Sequence, residues 1–217
     1  MQNGLSGFQA AIFDLDGTLI DSEPAWEMAK RAIAARHGRP ITDAQIAASV
    51  GRSMDQLLIE VFDPATPAAA RAIEEEVYAA VDEWMPQLRK PVPGAAEFLR
   101  DLHRFGLRIA LCSSSPERLI RDALMQIDVL EIVDLIVSAD PLPRRKPDPM
   151  PYEVTAEKLG LPHKALVVFE DAIAGVRSAK GAGLFTVGIG PETALPEFSI
   201  CDLRAPDYPA LRAILGM

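Results

Sequence analysis

Cysteine is scarce in this chain: Cys112 and Cys201 are the only two in 217 residues. They lie far apart and follow neither a metal-binding nor a disulfide spacing, so reduced thiols in a cytoplasmic protein are expected. Aromatic residues make up 6% against a hydrophobic content of 49%. A core must therefore rest on Ala, Leu, Ile and Val, and disorder is excluded. No apolar run reaches the ~18 residues that a membrane span needs, so no membrane partner is expected. The first ten residues lack a charged stretch followed by an apolar one, so no export signal is expected. Long Lys/Arg runs are also missing, and the net charge is −9. The chain has no electrostatic footprint for nucleic acid. Any anionic ligand must be held by local groups against the global field.

What is present is an alternation of short aliphatic runs and helical patterns. Strands are expected at residues 8–13, 107–112, 133–139, 165–170 and 185–190. Each is β-branched or aliphatic and bounded by turn residues. Runs apolar on both faces suit a parallel sheet covered by helices. Helices are expected between them. One begins at "SSPERLIRDALMQI", with Pro116 in its first turn and Ser114 and Glu117 at capping-box spacing. The order predicts an α/β fold, a doubly wound Rossmann-like parallel sheet.

From about residue 22 to residue 90 the pattern is helical throughout. Thr42 with Gln45 and Ser53 with Gln56 have capping-box spacing, and Thr66-Pro67 opens a longer helix through residue 83. "RKPVPG" reads as a stiff linker. The expected organisation is a core of residues 1–21 and 91–217 with an inserted all-helical cap at 22–90. A cap so placed suits a lid over a site at the strand ends.

Ligands of open α/β sheets bind at the carboxyl ends of the strands. The first expected strand runs into "DLDGT", with Asp14 and Asp16 two residues apart and a turn at Gly17. The second runs into Ser113, Ser114 and Ser115, and the fourth into Glu170-Asp171. Beyond the third comes "RRKPDP", with Lys146. Alone, each has a plain reading: a D-x-D turn, a serine cap, a solvated lysine, an acidic helix start. Together, in this order, they bring acids, hydroxyls and one lysine to one edge.

These types suit phosphoryl chemistry. Asp14, Asp171 and Glu170 are hard oxygen donors for Mg²⁺, which takes carboxylates plus phosphate and water. Ser113 and Ser114 with the following helix start can bind a phosphate, and Lys146 supplies a point charge. Without cations the site is untenable, because like charges ~4 Å apart repel by ~4 kcal/mol even at an effective dielectric of about 20. Asp14 then suits a nucleophile and Asp16 a general acid and base.

These residues resemble the haloacid dehalogenase-like hydrolases, in the branch with a helical cap after the first strand. Within it the chain is similar to the β-phosphoglucomutase-like and sugar-phosphate phosphatase group. "DLDGTLIDSEP", "LCSSS", "RRKPDP" and "FEDAIAGVRSAKGAG" carry the resemblance, which extends from about residue 8 to residue 190. It implies Asp14 as nucleophile, Asp16 as acid/base, and Ser113 and Lys146 on the phosphate. It also implies Mg²⁺ on Asp14, Asp171, the Asp16 main-chain carbonyl and Glu170, the last as ligand or supporting acid. The general acid at Asp16 argues against dehalogenation. "ASVGRSMDQLL" holds no lysine, which argues against phosphonate hydrolysis through a Schiff base.

The expected function is thus a Mg²⁺-dependent phosphatase of small metabolites, sugar or polyol phosphates, acting as a monomer. The alternatives are a phosphomutase and a non-catalytic sugar-phosphate-binding module. Arg52 stands out of the place a mutase would use, which Met54 occupies; it either meets the substrate or is solvated. Trp26 either stacks on substrate or packs. His37, His103 and His163 are read as structural or surface residues.

Overall fold

The computed structural model describes residues 4–49 and 54–217, without the side chains of residues 47, 48, 55 and 56. By its contacts the chain divides into two compact units, residues 1–20 with 91–217 and residues 21–90.

The first unit is built on a parallel sheet. Its strands are β1 (Ala10–Phe13), β4 (Arg108–Ser113), β5 (Leu135–Ser138), β6 (Leu166–Glu170), β7 (Phe185–Ile189) and β8 (Leu203–Ala205). The order is β5-β4-β1-β6-β7-β8, and every described pairing is parallel. The chain leaves β1 toward β4 and β5, then crosses back to β6 on the other side. That makes β1 the switch point of a doubly wound sheet. Strand β8 was not expected from the sequence: it is three residues long and only Ala205 is fully covered.

Alternate residues serve opposite faces, as the two-residue period of a strand requires. Ala11, Phe13, Ile109, Leu111, Val167 and Phe169 face one core with helices α5 (Ala95–Arg104), α6 (Glu117–Gln126) and α9 (Tyr208–Leu215). Ala10, Ile12, Ala110, Cys112, Leu166 and Val168 face the other with α7 (Met150–Leu159) and α8 (Ile173–Gly181). The first core centres on rings. Phe13 stacks on Phe169 at 4.7 Å, and Phe98 of α5 sets its ring edge-on to Phe169 at 5.3 Å.

The second unit is helical: α1 (Glu23–Arg36), α2 (Asp43–Ser49), α3 (Met54–Leu57) with a wide turn to Phe62, and α4 (Pro67–Leu88). Helices α1 and α4 pack together, and Ala25, Ala29 and Ile33 of one and Val77 and Val81 of the other are buried. The Thr42 box forms, with Thr42 N donating to Gln45 Oε1 at 2.9 Å. Thr66 caps α4 through Ala69 N at 3.1 Å, and α4 runs further than expected, with Pro86 in its last turn. The Ser53–Gln56 box and Arg52 lie outside the described residues. Two short strands, β2 (Ile20–Asp21) and β3 (Lys90–Pro91), form a sheet of their own, and β3 falls in the segment expected as a stiff linker. Among the described residues no helix is long and apolar enough to cross a membrane.

One local expectation fails. Ser114 does not cap α6: the helix starts after Pro116, whose extended ψ of 144° makes it the cap position, with no side-chain bond. A proline keeps its predecessor out of the helical region, so the turn cannot begin early enough for Ser114 to reach it. Glu117 pairs with Arg121 at 2.7 Å instead.

Phe98 should be the critical packing residue of the larger core. Phe98→Ala is expected to cost about 3–5 kcal/mol of unfolding free energy, measured by urea denaturation. A cost below about 1 kcal/mol would mean that the ring cluster carries little of the fold.

Candidate active site

The sheet register sets the site. Phe13 of β1 lies opposite Leu111 of β4 and Phe169 of β6. The next residue in each strand direction is Asp14, Cys112 and Glu170. Asp14 is held there by its own amide, which donates to Phe169 O at 3.0 Å. Asp14 and Glu170 are both buried.

Lys146 joins them. Its Nζ donates to Asp14 Oδ1 at 2.6 Å, Glu170 Oε1 at 2.6 Å and the Cys112 carbonyl at 2.9 Å. All three donors of the ammonium are thereby used. Lys146 comes from the connection between β5 and α7, and that connection is anchored. Asp148 Oδ1 accepts from Met150 N at 2.9 Å, and Ser178 of α8 donates to the Asp148 carbonyl at 2.5 Å.

The two acids of the first strand end take different partners. Asp14 takes the lysine, whereas Asp16 Oδ2 accepts from Ser115 Oγ at 2.8 Å and from Ser113 Oγ at 3.5 Å. Ser113 is fully buried, and its Oγ also accepts from Ser115 N at 3.0 Å. Ser114 points to solvent.

Asp171 completes the group. Its Oδ1 accepts from Thr18 Oγ1 at 2.9 Å. Oxygens of Asp14, Glu170 and Asp171 all lie within 4.8 Å of one another. Glycine is required twice here. Gly17 has φ +88°, and a Cβ on it would sit 1.9 Å from Asp171 Oδ2. A Cβ on Gly175 of α8 would sit 1.7 Å from Glu170 Oε1.

Four carboxylates thus meet at an edge where, among the described residues, Lys146 is the ammonium in contact. Burial and the excess negative charge both act on their protonation. Burial pushes Asp14 up to about 8; Lys146 opposes this, while Glu170 and Asp16 add to it. Burial, then Asp14 and Glu170, also hold Asp171 well above the usual carboxylate range. Burial works against the Lys146 charge, but Asp14 and Glu170 outweigh it and keep the ammonium protonated. Close hard oxygens with too little positive charge suit a divalent cation of the Mg²⁺ type. Asp14 and Asp171 would hold it, with Glu170 beside them.

Three contributors escaped the sequence reading. Tyr152 of α7 is buried and donates its hydroxyl to Glu170 Oε1 at 2.7 Å, and Lys146 Nζ lies 4.9 Å from the centre of its ring. Ser115, which with Ser114 has the plain reading of a helix cap, holds Asp16. Thr18 was passed over, although it directly follows the D-x-D-G turn. In the helical unit Trp26 sets its ring edge-on to Tyr78 at 5.8 Å, a packing contact. His37 pairs with Glu76 at 3.2 Å, and His103 and His163 are exposed.

Comparison with known proteins agrees with this arrangement. The family model described as haloacid dehalogenase-like hydrolase matches residues 11–189. The validoxylamine A 7'-phosphate phosphatase of Streptomyces hygroscopicus subsp. limoneus is 33% identical over 187 residues, covering 84% of this chain and 85% of that protein. Hexitol phosphatase B of Escherichia coli (strain K12) is 30% identical over 210 residues, 94% of each. The crystal structure of β-phosphoglucomutase from Clostridium difficile shares the fold, with a TM-score of 0.81 at 22% identity over 93% of this chain and 92% of that one. The matched span holds the ends of β1, β4 and β6 and Lys146, and the chain belongs to the haloacid dehalogenase-like hydrolases as a phosphatase-like enzyme.

Proposed function

We propose that this enzyme is a Mg²⁺-dependent phosphomonoester hydrolase of small phosphorylated sugars or polyols, working through an aspartyl-phosphate on Asp14. The observation that carries the reading is the split between the paired acids. Asp14 is tied to Lys146 at 2.6 Å and Asp16 to Ser115 at 2.8 Å. One acid sits beside a lysine and two carboxylates, and the other among hydroxyls.

Lys146 engages Asp14 Oδ1, so Oδ2 is the oxygen that attacks phosphorus. The Oδ2–P bond forms as the ester P–O bond breaks, and Asp16 gives its proton to the leaving oxygen. Asp16, now a carboxylate, takes a proton from a water that attacks the same phosphorus. The P–O bond to Asp14 breaks and inorganic phosphate leaves. Lys146 through its charge, and Ser114 through its amide and exposed hydroxyl, neutralise the phosphoryl oxygens. Asp14 and Asp171, with the Asp16 main-chain carbonyl, would hold Mg²⁺, which would supply the remaining charge neutralisation. Glu170 Oε1 is taken by Lys146 and Tyr152, so this acid serves mainly to hold the lysine.

The sugar or polyol class draws support from the relatives' names, a hexitol phosphatase and a validoxylamine 7'-phosphate phosphatase. Residues 22–90 are read as the cap that selects the ester, and 1–21 with 91–217 as the catalytic core. A phosphomutase or a catalytically silent binding module would give other results in the assays below.

A panel of phosphomonoesters with Mg²⁺ should release inorganic phosphate, with sugar or polyol phosphates among the best substrates. Asp14→Asn should lower kcat by at least about a thousandfold while the fold survives. Isomerised sugar phosphate preceding free phosphate would point to a mutase, and a silent panel to a binding module. EDTA should abolish turnover and Mg²⁺ restore it; full activity after rigorous metal removal contradicts the proposal.

Protonation gives an independent prediction. With Asp14 pushed up to about 8, the metal-free folded chain binds protons that the unfolded chain has lost. Its stability should therefore fall as pH rises from about 4 to about 8. Mg²⁺ binding near pH 7 should release protons, since the cation needs the carboxylate ionised. Calorimetry in buffers of different ionisation heat measures this, and a binding heat independent of buffer would contradict it.

A further inference from the structure

The last helix reaches the catalytic edge. Tyr208 opens α9 and is fully buried, and its hydroxyl donates to the Thr18 carbonyl at 3.0 Å across 190 residues of sequence. Thr18 is itself fully buried. Its other polar group, Oγ1, donates to Asp171 Oδ1 at 2.9 Å. One residue therefore links a tyrosine on one side to a metal-type carboxylate on the other.

The surrounding geometry leaves this link little slack. The turn closes on itself through Gly17 N to Ile20 O at 2.6 Å and Leu19 N to Leu15 O at 2.8 Å. Those bonds shape the turn but do not tie it to α9. Asp171 Oδ2 lies where a Gly17 Cβ would stand, 1.9 Å from that point. A small shift of the turn would thus either stretch the Thr18–Asp171 bond or press the backbone on the carboxylate.

Tyr208 is itself fixed from several directions. Asp207 caps α9 by accepting from Ala210 N at 2.7 Å. The Phe98 ring lies 5.3 Å from the Tyr208 ring. Gly94 gives way to it: a Cβ there would meet Tyr208 Cβ at 3.1 Å. Burial, then the charges of Asp171 and Asp14, hold the phenol above its ordinary value, so it stays a donor.

We propose that Tyr208 is a positioning residue for Asp171, acting through the Thr18 carbonyl and hydroxyl to fix the carboxylate for the divalent cation. This rests on the Mg²⁺-dependent reading above. A tyrosine that merely fills the core needs some acceptor for its hydroxyl, but it would not govern metal affinity. Groups that orient ligating carboxylates typically govern about ten- to a hundredfold in affinity.

The test is Mg²⁺ binding to the metal-free full chain by calorimetry, with Tyr208→Phe, Thr18→Val and the double variant. Tyr208→Phe removes one oxygen and keeps the packing. It should weaken Mg²⁺ binding about tenfold. Saturating Mg²⁺ should restore its kcat, with KM for the ester unchanged. Because the effect passes through the Thr18 hydroxyl, the double variant should bind Mg²⁺ no more weakly than Thr18→Val alone. Wild-type protein supplies a second reading that needs no variant. Mg²⁺ should slow amide exchange at the start of α9 more than in α6, by reciprocity of coupling.

Unchanged Mg²⁺ affinity in Tyr208→Phe, even with a lowered melting temperature, overturns the positioning role and leaves the metal reading standing. Additive losses in the double variant overturn the route through Thr18. A wild-type chain that binds no Mg²⁺ overturns the metal reading, and the positioning role with it.

Discussion

Among the described residues one buried ammonium, Lys146, holds the acidic edge of the sheet together. Lys146 lies 2.6 Å from both Asp14 and Glu170, and each of these side chains is almost entirely covered. Removing it would leave two carboxylates facing each other out of water, a state that costs several kcal/mol. The lysine does not complete the balance, because Asp171 and Asp16 stand in the same cluster. That deficit is the physical reason for expecting a divalent cation, and burial together with the neighbouring carboxylates raises Asp14 and Asp171.

The rest of the unit serves to bring these groups to one place. Parallel register puts Asp14, Cys112 and Glu170 side by side at the ends of β1, β4 and β6. The two glycines that a Cβ would force against Asp171 and Glu170 let the loop and α8 approach the acids. Tyr152 and Tyr208 then reach in from helices on opposite faces of the sheet, each ending on a group that touches a cluster acid. The chemistry is local, but the elements that position it come from both halves of the core.

Much of this could be read from the sequence because the informative features are local. Five of the six strands of the large sheet announce themselves as short aliphatic runs. The acids, the serines and the lysine follow them within a few residues or within one loop. What could not be read is what depends on partners distant in sequence. Tyr152 looks like any core residue of a helix until Glu170 is placed beside it. Tyr208 has the same appearance until Thr18 is brought to its hydroxyl. Strand β8 is short and half-exposed at the edge of the sheet, so its residues carry no clear alternation. Ser114 misled in the other direction: its capping-box spacing was real, but Pro116 moved the helix start beyond its reach.

Asp14 and Asp16 are proposed to share one reaction in two displacements at the same phosphorus. Each in-line displacement inverts that centre, so two of them retain its configuration. The direct measurement is the stereochemical course with a substrate ester made chiral at phosphorus by oxygen isotopes, the phosphoryl group being trapped by an acceptor alcohol. Retention is the predicted result. Inversion would mean a single direct displacement, and Asp14 would then not be the nucleophile.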